Sequence, residues 1–202
     1  MGFRVVFVVA VYVCLLLAPG VPASAQQSVF EDEIAVTATG SVDGVADSAD
    51  ALGGGIDDRE RVLAILNVDR LWSSPSRRCH DLACFLARRE DLPVTVDERL
   101  HELSFGRWEG RRWDDLPRSE LAAWGDSWQV ASPPGGETVA ELGARVGTWQ
   151  TELSPRERHL LVAHAGVVRA LWVLCEGRTW TGAMATTVPF LKPLAIEAKE
   201  SP

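Results

Sequence analysis

The junction at residues 160–166 most constrains what the chain can fold into. Four apolar residues, Leu160-Leu161-Val162-Ala163, follow the charged run Arg156-Glu157-Arg158 and end at His164-Ala165-Gly166. A longer apolar segment, residues 167–174, comes next. Four residues are too few for a buried helix but enough for a buried strand, and the segment after them has helix length. The junction reads as a strand feeding a helix through a short loop. Residues 68–72 and 77–89 repeat the pattern, with Ser73-Ser74-Pro75 between them and Leu82, Ala83, Phe85 and Leu86 as the helical stripe. Strands alternating with helices imply an α/β class, a three-layer α/β/α sandwich around a mostly parallel sheet. Ligands in such sheets sit beyond the carboxyl ends of strands, where both loops fall.

The same reading predicts a helix over residues 57–66, short strands over 94–96 and 194–198, and helix with loop over 108–126. Pro133-Pro134-Gly135-Gly136 is a turn, and residues 138–153 form an amphipathic helix with Val139, Leu142, Val146 and Trp149 inward. No internal repeat is visible.

The N-terminus has the layout of an export leader. Arg4 supplies a charge, residues 5–18 are apolar, Pro19-Gly20 breaks the run, and Ala23-Ser24-Ala25 offers small residues for cleavage after Ala25. The run is short for a membrane span, so no stable span is expected once the leader is removed. The alternative is a buried first strand, since residues 5–13 are rich in β-branched side chains. Residues 26–56 are acidic and small, with Gly53-Gly54-Gly55, a possible strand at 34–36 and no Lys or Arg, as in a flexible linker. Patterned sequence starts at Asp57. The chain thus divides into a leader-like segment (1–25), a low-complexity segment (26–56) and a domain (57–202). An abrupt loss of arginine before Ile56 is also what a shifted reading frame upstream of the Asp57 codon produces.

A net charge of −8 argues against a nucleic-acid partner, but a local cluster of cations can still hold a phosphate. Lys192 and Lys199 are the only lysines, so arginine, whose planar fork suits phosphate, carries nearly all the positive charge. The same preference arises from codon bias. Cys14, Cys79, Cys84 and Cys175 show no paired spacing, so neither a disulfide framework nor a metal site is expected, and Cys79, His80 and Cys84 read as helix residues. No cofactor motif is present.

Three places can carry chemistry. At residues 73–78 hydroxyls and arginines meet the start of a helix, whose free N–H groups favour anions; ordinary capping explains the same residues equally well. His164 follows a strand and precedes a glycine, which suits either phosphoryl contact or a structural role. Glu102 can act as a general acid if its pKa is raised, or be a solvated charge.

Read together, these places resemble a known family. Residues 68–75 with Arg78, the run from Leu100 to Gly110 followed by Trp113-Asp114-Asp115-Leu116-Pro117, the block Pro133-Pro134-Gly135-Gly136-Glu137 with Arg145-Val146, and Leu161-Val162-Ala163-His164-Ala165-Gly166-Val167-Val168-Arg169 resemble, in order, four motifs of the histidine phosphatases. The similarity is to the phosphoglycerate-mutase-like superfamily, and within it to the alpha-ribazole phosphatases. By that resemblance Arg78 holds the phosphate, Glu102 protonates the leaving oxygen, and His164 contacts the phosphoryl group and stabilises the transition state. It further implies a phosphorylated small molecule as ligand and a phosphomonoesterase in cobalamin nucleotide-loop assembly.

The family's Arg-His-Gly or Arg-His-Thr motif, with the nucleophilic histidine, has no counterpart here. His80 is the first histidine and Arg4 the only arginine before Arg59. Spacing puts the missing motif between Leu15 and Asp32, so the first strand is expected to be degenerate or displaced and the nucleophile is unknown. The expected function is therefore that of an impaired phosphatase, or else a non-catalytic relative that binds a phosphorylated ligand or a protein. The leader implies a secreted or periplasmic protein; without it the resemblance implies a cytoplasmic one. The sequence is silent on oligomeric state. In either case Arg78 and His164 must converge on one pocket, with residues 160–163 beside residues 68–72.

Overall fold

The computed structural model describes residues 4–10, 68–189 and 193–198. They contain strands β1 (Arg4–Ala10), β2 (Arg70–Ser73), β3 (Val94–Val96), β4 (His159–Ala163) and β5 (Pro193–Ala198). The helices are α1 (Arg77–Glu90), α2 (Arg118–Ser127), α3 (Val139–Thr151), α4 (Ala165–Glu176) and α5 (Trp180–Ala185). Single turns of 3₁₀ helix lie at Glu98–Leu100, Gly106–Trp108 and Trp113–Asp115.

The sheet order is β3-β2-β4-β1-β5. β4 runs parallel to both β2 and β1, and only the edge strand β5 is antiparallel. Every residue of β4 is buried, as a strand with neighbours on both edges and helices on both faces requires. Its side chains alternate between two cores. Leu160 and Val162 pack with Leu71, Cys79, Ala83 and Leu86 under α1. Leu161 and Ala163 pack with Leu142, Val146, Trp149 and Leu171 under α3 and α4. The period of two splits the helices between the faces and makes the three layers. A third core of Phe105, Trp108, Leu116 and Trp124 lies to one side, its rings meeting edge-to-face.

Local chemistry sets the element ends. β2 starts two residues later than the apolar pattern suggests, because the Asp69 carboxylate accepts from the Arg158 backbone N–H at 2.7 Å and Asp69 N–H donates to Arg158 O at 2.9 Å. That tie replaces the first rungs of a ladder. Thr138 and Glu141 form a capping box at the start of α3. The short α5 escapes the sequence reading; it has one turn and a half, holds Gly182, and is held by the Thr179 cap and the burial of Ala183. The segments 26–56 and 57–66, including the strand expected at 34–36, lie outside the described residues.

β1 comes from the leader-like segment. A leader and a buried strand are both apolar and β-branched, so pattern alone does not separate them. Ala10 pairs with Ala163, one residue before His164. β1 ends at Ala10, upstream of the 15–32 window in which spacing puts the missing motif.

A strand paired on both edges is hard to remove. A chain beginning at Gln26 is expected to lose its cooperative urea transition, because β4 and β5 would each expose an unpaired edge. A folded Gln26 chain, or protein from the native host whose N-terminal sequence starts at Gln26, would return the segment to the leader reading.

Candidate functional site

The site lies at the carboxyl edge of the parallel strands. β2 ends at Ser73 and β4 at Ala163, and the next residues are Ser74 and His164. Ser74 N–H donates to Val162 O at 2.9 Å, which continues the ladder by one rung and lines the two loops up. His164 is the N-cap of α4 and is fully buried. Arg78 sits in the first turn of α1, so it and His164 both face the space beyond the sheet edge.

They meet as the sequence requires. Arg78 Nη2 lies 3.1 Å from His164 Nδ1, and Ser74 Oγ lies 2.7 Å from His164 Nε2. A guanidinium can only donate, so Nδ1 must accept. The ring then carries its proton on Nε2 and donates to Ser74 Oγ, which also receives the Ser76 N–H at 3.3 Å. Arg78 Nε is buried and has no hydrogen-bond partner among the described residues. Cys79 Sγ lies 3.6 Å from His164 Nε2, but burial pushes its thiol up to about 12, and the Arg78 charge only partly offsets that. Its Sγ also lies 3.6 Å from Ala163 O, and burial of this kind disfavours the thiolate. His80 points elsewhere and sits near Cys84, at 3.5 Å, so the helical trio does not converge.

Glu102 reaches the same edge from the loop after the first 3₁₀ turn. Its Oε1 accepts from Leu103 N–H at 2.9 Å and from Gly166 N–H, in the first turn of α4, at 3.0 Å. Gly166 leaves room for this contact: a Cβ would overlap Glu102 Oε1 and displace the carboxyl. By surface area the residue is half-buried, but the atoms around its carboxyl make desolvation the dominant influence, and the pKa is raised. The two N–H groups, then Arg169 and Arg78, pull in the opposite direction.

Arg145 positions this loop. Its Nη1 donates to Arg99 O at 2.6 Å and His101 O at 2.8 Å, its Nη2 to Glu102 O at 3.1 Å, and its Nε to Glu137 Oε1 at 2.7 Å. The loop is also locked by a close backbone approach. Gly106 has φ of 54°, and a side chain on it would collide with the backbone of Gly135 and Gly136. Three residues of the site were not singled out from sequence: Ser74 as the partner of His164, Arg145 as a brace, and Arg169, which is buried beside Glu102. All three stand in the motifs that signalled the site, but strand and helix patterns do not say which neighbours touch.

The described residues contain no group of three or more His, Cys, Asp or Glu placed to hold a metal, and no helix long and apolar enough to cross a membrane.

A model of the histidine phosphatase superfamily (branch 1) matches residues 59–189. The chain belongs to that superfamily. It is 29% identical over 126 residues to the adenosylcobalamin/alpha-ribazole phosphatase of Escherichia coli (strain K12), covering 58% of this chain and 62% of that one. It is 37% identical over 114 residues to the glucosyl-3-phosphoglycerate phosphatase of Mycobacterium tuberculosis (strain ATCC 25618 / H37Rv), covering 49% and 50%. The chain thus spans only about half to six-tenths of the length of these curated relatives. The alpha-ribazole phosphatase of Shigella flexneri shares the fold, with a TM-score of 0.66 at 21% identity over 95% of this chain and 89% of that one. The sheet is thus a phosphoglycerate-mutase-like α/β sheet, and alpha-ribazole phosphatases are among the relatives the chain is similar to.

The buried Glu102 has a consequence for stability. A carboxyl whose folded pKa is raised binds its proton more tightly in the folded state. Below the ordinary value of about 4.5 both states are protonated and nothing is lost. As pH rises past it, the unfolded chain ionises first and stability falls until the folded pKa is passed. Glu102→Gln keeps an oxygen for the two N–H groups and cannot ionise. Urea unfolding from about pH 4 to about pH 8 should show the stability gap moving toward the Gln variant as pH rises. A constant gap, or one moving toward Glu, would contradict burial as the dominant influence.

Proposed function

We propose that this histidine-phosphatase relative holds the phosphoryl group of a small phosphomonoester on Arg78 and His164, with Glu102 at the leaving oxygen, and turns it over slowly or not at all. The observation that carries the reading is the Arg78–His164 pair. An arginine whose buried Nε has no hydrogen-bond partner among the described residues, beside an imidazole at the N-terminal turn of α4, is an arrangement for oxyanions. Glu102, kept protonated more readily by burial, is suited to give its proton to a departing alkoxide. The donor's place on Gly166, two residues past His164, supports a shared substrate.

The nucleophile is what the chain lacks. Attack on phosphorus by an imidazole needs a histidine level with the reacting group. His159 is at the far end of β4 and is held by Trp72 Nε1 at 3.2 Å and Ser154 O at 3.0 Å. His101 is exposed beside Glu98, and His80 sits on α1. The residues after β1 are Val11, Tyr12 and Val13. Positioning and charge can sustain residual hydrolysis without the covalent path. The alternative, a non-catalytic phosphate-ligand or protein-binding relative, is favoured by the same absence. Alpha-ribazole phosphate is the substrate to try first, by likeness to the E. coli enzyme. Retention of residues 1–25 goes with a cytoplasmic protein and removal with a secreted or periplasmic one; the strand role of residues 4–10 supports retention.

Inorganic phosphate should bind, as read by calorimetry, and Arg78→Gln should weaken it about 10- to 100-fold, the loss of about 1.5–3 kcal/mol for charged hydrogen bonds. Turnover of p-nitrophenyl phosphate and of alpha-ribazole phosphate should be slow, with no acid-labile phosphoenzyme. Robust turnover that vanishes in His164→Ala and Glu102→Ala, together with a trapped phosphohistidine, would show that a nucleophile is present after all.

A further inference from the structure

The hydrogen bonds through His164 form a chain that runs one way. Arg78 Nη2 donates to Nδ1 at 3.1 Å, and Nε2–H donates to Ser74 Oγ at 2.7 Å. Ser74 Oγ also receives the Ser76 N–H at 3.3 Å, so both of its lone pairs are taken. Its own proton goes to the Cys79 thiol, and the Cys79 S–H goes to Ala163 O at 3.6 Å. The chain starts at a guanidinium, which can only donate, and ends at a carbonyl, which can only accept, so its direction is fixed at both ends. Ser74, Cys79 and His164 are fully buried, and solvent does not compete for these bonds.

We infer that the site takes up its anion together with one proton, and that Ser74 is the positioning residue that makes this necessary. This deepens, and rests on, the phosphate reading of Arg78 and His164. Arg78 stands on the Nδ1 side of the ring and Ser74 on the Nε2 side. An anion gathered by the Arg78 fork draws Nη2 off the ring and meets Nδ1, which is a lone pair and not an N–H. A fully ionised oxyanion carries only acceptors, and two acceptors facing each other away from water are unfavourable. The ring is not free to move its proton to Nδ1, because the Ser74 hydrogen that Nε2 would then need is held by Cys79. One added proton resolves the conflict. It comes from solvent and settles on Nδ1, giving an imidazolium that donates to the anion, or it arrives on the ligand as P–O–H and is donated to Nδ1. The charged and titratable groups around the ring, among the described residues, are Arg78 and Cys79 on α1, and Glu102 from its loop with Arg169 beside it on α4. Cys79 stays a thiol, since burial pushes it up to about 12. Glu102 is a rival place for the proton, because an anion nearby favours its neutral form.

The test uses the full chain and sulfate, which carries no proton of its own from about pH 7.5 to about pH 9, where an ordinary imidazole is neutral. Calorimetry in two buffers of different ionisation enthalpy counts the protons bound. Sulfate should bind with uptake of about one proton, and its affinity should fall about tenfold per pH unit, the linkage slope of a single proton. Sulfate that binds with no proton uptake overturns the inference and leaves the phosphate reading standing. Binding of neither sulfate nor inorganic phosphate at any pH overturns both. In Glu102→Gln the uptake should persist; its loss there assigns the proton to Glu102 and sinks the inference. In Ser74→Ala the ring is released to present Nδ1–H without an added proton, and the slope should flatten to about threefold or less per pH unit. An unchanged slope in folded Ser74→Ala overturns the role of Ser74. Should Ser74→Ala lose its cooperative thermal transition, Cys79→Ala takes its place: the Ser74 hydrogen is then free to turn to Nε2, and the slope should flatten in the same way, an unchanged slope counting against the proposal.

Discussion

The arrangement depends on one buried strand. β4 is paired in parallel on both edges and covered on both faces, so none of its five residues can turn outward without emptying one core or the other. That rigidity fixes the place where the strand stops. His164 comes one residue after Ala163 and caps α4, so imidazole and helix N-terminus are delivered to the same point by a single backbone path. Ser74, one residue after the neighbouring strand, is carried to hydrogen-bonding distance by the same register.

The loop bearing Glu102 has no such ladder and is held by a different device. Arg145, projecting from α3, collects three backbone carbonyls and the Glu137 carboxylate. Those carbonyls would otherwise need water or one another, and satisfying them with a single guanidinium removes several unpaired groups at once. At the far end of the loop, Gly106 lies against Gly135-Gly136 with no space for a side chain. The carboxyl itself meets Gly166, where the absence of a Cβ makes the contact possible. The acid is thus held from both ends, with an opposing pair of influences on its charge: burial against it, two N–H groups and two arginines for it.

Binding and bond-breaking are separable in such a site. The cations and the acid are packed into helices and loops that other contacts stabilise, so their geometry does not depend on a nucleophile. The Arg78–His164 pair and the Glu102 carboxyl can therefore keep their geometry through packing alone. Charge placement persists under the packing constraint, and covalent reactivity rests on one residue type at one point.

Much of this was written in local pattern. The strand-helix junction at His164 was legible because the four-residue apolar run 160–163 fits a buried strand and little else, the junction at Ser73 was legible from the Ser-Pro loop before a helical stripe, and Arg78, Glu102 and His164 stood in motifs whose order along the chain was sufficient to name the family. Residues 5–13 were ambiguous for a physical reason: a leader and a central strand are both selected for unbroken apolarity, and only pairing with β4 and β5 distinguishes them. Arg145 and Arg169 stood in the quoted motifs without a readable role, since an arginine on a helix looks the same whether it faces water, three carbonyls or a buried carboxyl. By itself the sequence determined the α/β class and the family, because periodicity and residue identity are local properties. The tertiary structure decided which tautomer His164 carries, what braces Glu102, and that Arg169 is buried beside that carboxyl, because those depend on contacts between residues that lie far apart in the chain.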